Sequence, residues 1–190
     1  MNWSDYYLHP KVPLMFLDTE TTGLEPQHEV IQIGVVAMNG EEYEWKIKPE
    51  RIDLADPEAL KINRYDPGKW EEEGRPSGEV CRELASMLQQ TQMVCCNPTF
   101  DITYLRYSFI ENGISPRHLA YPKPLCVAIF AAPIMSVAEG LGIPSLRKMC
   151  DYFGVPNDGA HDALEDARMT REIYIKAVDL YREKFGQDVA

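Results

Sequence analysis

No apolar run in the 190 residues approaches the roughly 20 needed to cross a bilayer, so no membrane partner is expected. The first residues, Met1-Asn2-Trp3-Ser4-Asp5, lack the basic and apolar regions of a secretory signal. No CxxC pair occurs, and the five cysteines (Cys81, Cys95, Cys96, Cys126, Cys150) are odd in number. Several sit in apolar runs, which reads as buried free thiols in a reducing cytoplasm. Positive charge is scarce: 19 Lys and Arg against 30 Asp and Glu give a net charge of -11. That argues against a non-specific nucleic-acid coat, which needs cations to displace counterions. It leaves room for an enzyme whose acids gather metal ions that in turn attract phosphate. Internal repeats and low-complexity tracts are absent. What is present, 45% hydrophobic and 26% charged residues, fits one soluble globular domain with a full core.

The chain divides into an irregular polar and aromatic arm, residues 1–11, and a folded domain, residues 12–190. An apolar run from Val12 to Leu17 predicts a buried strand reaching about Glu20, with Thr21-Thr22-Gly23 as a turn. Val30 to Met38 is nearly continuously apolar and predicts a central strand. Asn39-Gly40 is a strong hairpin signal, so Glu42 to Ile47 should return antiparallel. The stretch from Pro49 to Gly78 reads as irregular, except for a short helix opened by Asp56 as N-cap and Pro57. Helical spacing of Val80, Leu84, Met87 and Leu88 predicts a helix from Ser77 to about Gln90. Met93 to Cys96 is a short buried strand. Asn97-Pro98 should cap a helix that stops at Asn112-Gly113. Ile114 to Pro124 is expected as loop, and Leu125 to Ala132 as strand, helix, or one followed by the other. Ser145 opens a helix ending at Phe153-Gly154, and a last helix should run from about Asp162 to Lys184. Strands followed by alternating helices give an α/β sheet with an antiparallel hairpin plus parallel strands, flanked by helices.

Three places carry candidate chemistry. In Asp18-Thr19-Glu20 the alternation of an extended chain puts Asp18 and Glu20 on one side. Two neighbouring carboxylates repel, and a hard divalent cation with oxygen ligands removes that repulsion. The same two residues also describe a strand end with solvated acids. Asp101 falls in the first turn of a helix, where the dipole alone favours a carboxylate. A strand-then-helix unit also places it at the C-terminal sheet edge, where open α/β sheets bind ligands. The third place is His161-Asp162-Ala163-Leu164-Glu165-Asp166. In regular helix His161 and Asp166 would lie about 140° apart and could not share a site. A histidine on the loop entering the helix, made pliable by Gly159, can still face an aspartate in the second turn. Asp162 and Glu165 read as a solvated face, and His9, His28 and His118 as bland.

Together the motifs run Asp-x-Glu, then Asp, then His-x-x-x-x-Asp. The residues are Leu17-Asp18-Thr19-Glu20-Thr21-Thr22-Gly23-Leu24, Val30-Ile31-Gln32-Ile33-Gly34, Asn97 with Phe100-Asp101, and His161-x-Ala163-x-x-Asp166-Ala167. This resembles the DEDDh branch of the DnaQ-like 3′–5′ exonucleases, the group that includes polymerase proofreading subunits, from about Leu14 to Ala177. The resemblance implies a ribonuclease H-like mixed sheet and an exonuclease domain over residues 12–190. It implies Asp18, Glu20, Asp101 and Asp166 as metal ligands for two Mg2+ or Mn2+ ions, and His161 as general base. Asp18 would bridge the ions, Glu20 and Asp166 would serve the nucleophile-side ion, and Asp101 would serve the second. Thr21, Thr22, Leu24, Glu58, Asn63, Asn97 and Phe100 are the implied nucleotide contacts. Where many members have His before the second aspartate's Asn, this chain has Cys96. Where proofreading subunits carry His-Gly, it has Asn63-Arg64. Leu125-Cys126-Val127 replaces a frequent Asp-Thr.

The implied function is a metal-dependent 3′–5′ exonuclease releasing nucleoside monophosphates from a single-stranded 3′ end, DNA favoured over RNA. The implied partners are that 3′ end and, for a polymerase-bound role, a DNA polymerase subunit. No polymerase-docking tail is evident, so a free-standing nuclease is expected at least as readily. The competing readings are a catalytically idle nucleic-acid-binding or polymerase-accessory module and a soluble protein with a structural cation site.

Overall fold

The computed structural model describes Leu8 and residues 10–135, 142–158 and 161–185. The rest of the expected 1–11 arm, with His9, and also Gly159 lie outside the described residues. Five strands form one mixed sheet: β1 (Leu14–Thr21), β2 (Val30–Ala37), β3 (Glu42–Lys46), β4 (Gln92–Cys95) and β5 (Leu125–Cys126), in the order β3-β2-β1-β4-β5. The β1, β2 and β3 strands pair antiparallel, while β4 and β5 add in parallel on the other side of β1. This is the hairpin plus parallel strands that the sequence predicts.

Alternation along β1 sorts its side chains between two cores. Leu14 and Phe16 join Val36 of β2 and the inner face of a long C-terminal helix (Ala167, Ile173, Tyr174, Ala177). Leu17 faces the other way, with Ile33 and Val35, against Val80, Leu84, Leu105 and Phe109. Each fully buried side chain of this size contributes about 1.5–3 kcal/mol, so both sheet faces anchor the strand that carries Asp18.

The helices are α1 (Pro57–Ile62), α2 (Pro67–Glu73), α3 (Ser77–Met87), α4 (Pro98–Glu111), α5 (Arg117–Ala120), α6 (Val127–Ala131), α7 (Leu146–Phe153) and α8 (Ala163–Phe185). The cap signals hold in most cases. Asp56 accepts from the Glu58 N–H at 2.9 Å, Ser145 caps α7, and Gly154 closes α7 with φ +62°. The Leu125–Ala132 run resolves into strand β5 followed directly by α6.

Three expectations are corrected. Asn97 occupies the N-cap position of α4, but its side chain makes no capping hydrogen bond; Pro98 at the first position sets the start instead. The stretch read as irregular contains α2, opened by the same Asp-Pro device as α1: Asp66 accepts from the Lys69 N–H at 3.0 Å. Trp70 secures α2, donating its Nε1–H to the Ile31 carbonyl at 2.8 Å while its ring is buried. The Ile114–Pro124 loop contains the single turn α5.

The start of α1's exit turn is left-handed. Tyr65 N–H bonds the Leu60 carbonyl at 2.9 Å and Arg64 N–H the Lys61 carbonyl at 3.3 Å, the paired bonds of a Schellman stop. Arg64 sits at its left-handed position with φ +52°. Glycine is the usual residue there, and a side chain costs on the order of 1 kcal/mol.

The approach of α8 to the sheet positions everything that follows. Gly34 pairs with Asp18 across β1 and β2. A Cβ on Gly34 would lie 2.3 Å from backbone atoms of Ala163 and Leu164. Glycine therefore lets the first turn of α8 lie directly on the strand, and the small, fully buried Ala163 and Ala167 keep it there. Gly34→Ala should push that turn away and cost about 1–3 kcal/mol, the range for overpacking a tight contact. Urea-unfolding midpoints check this, and an unchanged midpoint would show the contact to be slack.

Candidate active site

The acidic residues come together from three chain-distant segments. Asp18 and Glu20 project from one face of β1, the face that α8 covers. Asp166 lies in the first turn of α8, not the second as the sequence suggests, because the helix starts at Ala163. It meets them because Gly34 admits the helix. Carboxylate oxygens of Asp18, Glu20 and Asp166 all lie within 4.8 Å of one another. Asp166 Oδ1 is buried and has no hydrogen-bond partner. Three clustered carboxylates with an orphaned oxygen form a donor set suited to a hard divalent cation, because oxygen ligands and negative charge are what such ions take.

Asp101 reaches the site from the opposite face. It is buried (3% exposed) in the first turn of α4, which follows β4. Thr19, pointing away from Asp18 and Glu20 by strand alternation, donates its hydroxyl to Asp101 Oδ1 at 2.9 Å. The Cys95 thiol donates to the same carboxylate. Asp101 thus stands beside the three-carboxylate cluster, near enough to act on the charges of Asp18 and Glu20, and is not one of its three members.

Burial raises every one of these carboxyls, and repulsion from neighbouring acids adds to it for Asp18, Glu20 and Asp166. Desolvation is the largest cause for Asp18, reinforced by Asp101, Asp166 and Glu20, and it lies well above the usual carboxylate range. Glu20 is pushed up to about 8 by burial and by Asp166, Asp101 and Asp162. Asp101 rises to about 7 through burial, held back by the Thr19 and Cys95 hydrogen bonds. Burial raises Asp166 to about 6, opposed by a hydrogen bond from the His161 backbone N–H.

His161 lies outside α8, on the bend before it, exposed and left-handed at φ +69°. The loop position before the helix that the sequence predicts for His161 is therefore observed. Asp162 departs from its reading as solvated face. It caps α8, accepting from the Leu164 and Glu165 N–H groups at 3.1 and 3.2 Å. Its other oxygen accepts from Gln32 Nε2 at 3.1 Å. Gln32, on β2 and nearly fully buried, also donates to Glu44 and so locks the entry of α8 to the hairpin.

The segment after β1 forms a braced rim. The Thr21 hydroxyl donates to the Gly23 carbonyl at 2.7 Å, and Thr22 Oγ1 accepts from the Glu29 N–H at 2.9 Å. Asn63 is buried and donates to the Thr21 carbonyl at 2.8 Å; Asp56 N–H donates to the Thr22 carbonyl at 2.8 Å. Leu24 is 75% exposed at the tip. Phe100 is half-buried and packs on Tyr104, centroids 4.8 Å apart, while Glu58 and Asn97 are exposed. His28, read as bland, is a buried brace. Its Nδ1 accepts from the Glu25 N–H at 2.9 Å, which leaves the proton on Nε2 to donate to the Leu54 carbonyl at 3.1 Å. Its ring occupies the space a Gly23 Cβ would need. Thr19, Gln32 and His28 are the site-supporting residues that motif reading passed over. Only the faces of β1 and β2 signalled the first two.

The raised carboxyls fix a pH dependence for the metal-free protein. Their folded-state values exceed the roughly 4 of an unfolded chain, so the protonated forms stabilise the fold. That contribution is complete below about pH 4 and is lost as pH rises through about 6, 7 and 8, the values for Asp166, Asp101 and Glu20. In chelator, urea-unfolding midpoints should fall between about pH 5.5 and 8.5, and fall less in Asp18→Asn. A slope shared equally by both proteins would count against a repelling cluster.

A model of the Exonuclease family matches residues 15–174. The DNA polymerase III PolC-type protein of Thermotoga maritima is 29% identical over 188 residues, covering 96% of this chain and 13% of that protein. The DNA polymerase III epsilon subunit of Rickettsia prowazekii is 28% identical over 171 residues, covering 85% of this chain and 72% of that one. Among solved structures, an exonuclease I superposes with a TM-score of 0.77 at 22% identity over 92% of this chain and 43% of that one. E. coli exonuclease I in complex with a dT13 oligonucleotide gives 0.74 at 20% identity, over 92% and 42%. The chain therefore spans less than half of these exonuclease I chains and about an eighth of the PolC-type protein, and the structural matches establish the ribonuclease H-like fold. With the family match across most of its length, the chain belongs to the Exonuclease family, among the DnaQ-like 3′–5′ exonucleases.

Proposed function

We propose that this chain hydrolyses single-stranded nucleic acid from the 3′ end, DNA in preference to RNA, releasing nucleoside monophosphates with two Mg2+ or Mn2+ ions. The observation that carries the reading is the convergence of Asp18, Glu20 and Asp166 within 4.8 Å, with one Asp166 oxygen buried and unpaired. A carboxylate cluster left to itself is costly to bury, and no cation of the chain pairs with it among the described residues. Structural economy alone would replace it by apolar side chains.

Bound divalent ions supply Lewis-acid stabilisation of the phosphodiester and a more acidic water. The chain's own contribution is threefold. Asp18, Glu20 and Asp166 would hold the first ion, and Asp101, kept in place by Thr19 and Cys95, would serve the second, with Asp18 between them. His161, on the exposed bend before α8, would take the proton of the attacking water as general base. Thr21, Thr22, Leu24, Asn63 and Phe100 line the braced rim where a terminal nucleotide would sit, with Glu58 and Asn97 at its exposed border. Asn63 spends one donor on the Thr21 carbonyl, so its role there is to shape the rim. A cytoplasmic setting, and action alone or with a polymerase, complete the proposal.

The purified chain should shorten a 3′-terminal single-stranded oligonucleotide with Mg2+ or Mn2+, and leave it intact in chelator. Asp18→Ala should abolish turnover with the fold retained. His161→Ala should keep cation affinity while turnover falls by about 10² or more, the scale for loss of a general base. Near-normal turnover in His161→Ala would remove it from the mechanism. Tight oligonucleotide binding without cleavage in the unaltered chain would favour an idle accessory module. Unfolding on chelation without any nucleic-acid affinity would favour a structural cation site.

A further inference from the structure

Two non-glycine residues among the described ones have positive φ, His161 and Arg64. The first is the candidate base. The second stands at the left-handed position of the Schellman stop that ends α1, where the backbone favours glycine. Backbone strain kept at a position where a simpler residue would fit points from structure to use.

Its surroundings say what that use is. Arg64 is exposed and makes no side-chain hydrogen bond or ion pair among the described residues. Arg51, Arg75 and Arg168 are paired with Glu111, Glu83 and Glu42, so Arg64 belongs with Arg82, Arg106, Arg117 and Arg147, the arginines whose guanidinium is left to solvent among the described residues. What sets Arg64 apart is its place beside the site. Arg64 is also tied to the site through its neighbour. Asn63 donates to the carbonyl of Thr21, the residue after Glu20, and Asp56 at the start of α1 donates to the carbonyl of Thr22. A planar guanidinium carried by the segment that Asn63 ties to the end of β1 complements a phosphate that must approach the acidic pocket. Lys61, exposed in the last turn of α1, adds charge of the same sign. Ile62, 49% exposed, and Leu24, 75% exposed, are apolar surface on the two segments that Asn63 joins.

We propose that Arg64 binds a backbone phosphate of the nucleic-acid strand at the rim of the acidic pocket, so that it sets substrate affinity and its salt dependence while the chemistry proceeds without it. The inference rests on the nuclease reading above. Arg64→Gly serves as the test because it removes the guanidinium while easing the backbone. Steady-state cleavage of a 3′-labelled single-stranded DNA oligonucleotide should show KM raised about fivefold or more, with kcat within about twofold. The slope of log kcat/KM against log salt should be shallower by about 0.7, the loss of one phosphate contact on a single strand. Arg64→Lys should restore the slope, and the melting temperature of Arg64→Gly should equal or exceed that of the unaltered chain. Unchanged KM and salt slope in Arg64→Gly overturn this inference alone, as does a loss confined to kcat. An unaltered chain that neither cleaves nor binds the oligonucleotide overturns the nuclease reading and this inference together.

Discussion

Mutual repulsion among buried carboxylates is the constraint around which this structure is arranged. An ionised carboxylate moved out of water without a partner costs several kcal/mol, and here Asp18, Glu20 and Asp166 are crowded against each other with Asp101 close by. Such an arrangement persists only if the rest of the fold holds it. The apolar contacts on both faces of β1 do so from below, and the first turn of α8, pressed on Gly34, does so from above. Protons relieve the strain at low pH, and cations are the other means of relieving it.

The supporting bonds explain why the acids keep separate duties. Asp162 spends its two oxygens on the α8 cap and on Gln32, so it fixes where Asp166 sits. Thr19 and Cys95 hold Asp101 from the far face of the sheet. Second-layer partners of this kind orient ligands and set their basicity. The rim is braced likewise, through Asn63, Thr22 and His28, so the residues bordering the pocket are held by backbone carbonyls and amides.

Much of this was legible in the residues. Alternation alone placed Asp18 and Glu20 on one side, and helical rotation alone required His161 to stand off the helix that bears Asp166. Asp56-Pro57, Ser145 and Gly154 marked their helix ends because capping chemistry is local. The helix over Pro67–Glu73 carried the same Asp-Pro signal, but its short charged sequence gave no apolar period; its anchor, Trp70, bonds a strand 39 residues away. Asp162 read as solvated because its partner Gln32 lies 130 residues off in sequence. The need for glycine at position 34 was equally hidden, since the atoms that forbid a side chain belong to α8. Local chemistry could be read from the chain; long-range contacts could not, and these contacts assemble the site.

The central claim is that this cluster is a cation site built by opposing charges. Thermal unfolding of the unaltered chain and of Asp18→Asn, each with and without millimolar Mn2+ at a pH near 8, tests it most directly. Mn2+ should raise the melting temperature of the unaltered chain well beyond any rise in the variant, since binding to the folded state alone stabilises it. Equal shifts in the two proteins, or none in either, would contradict it.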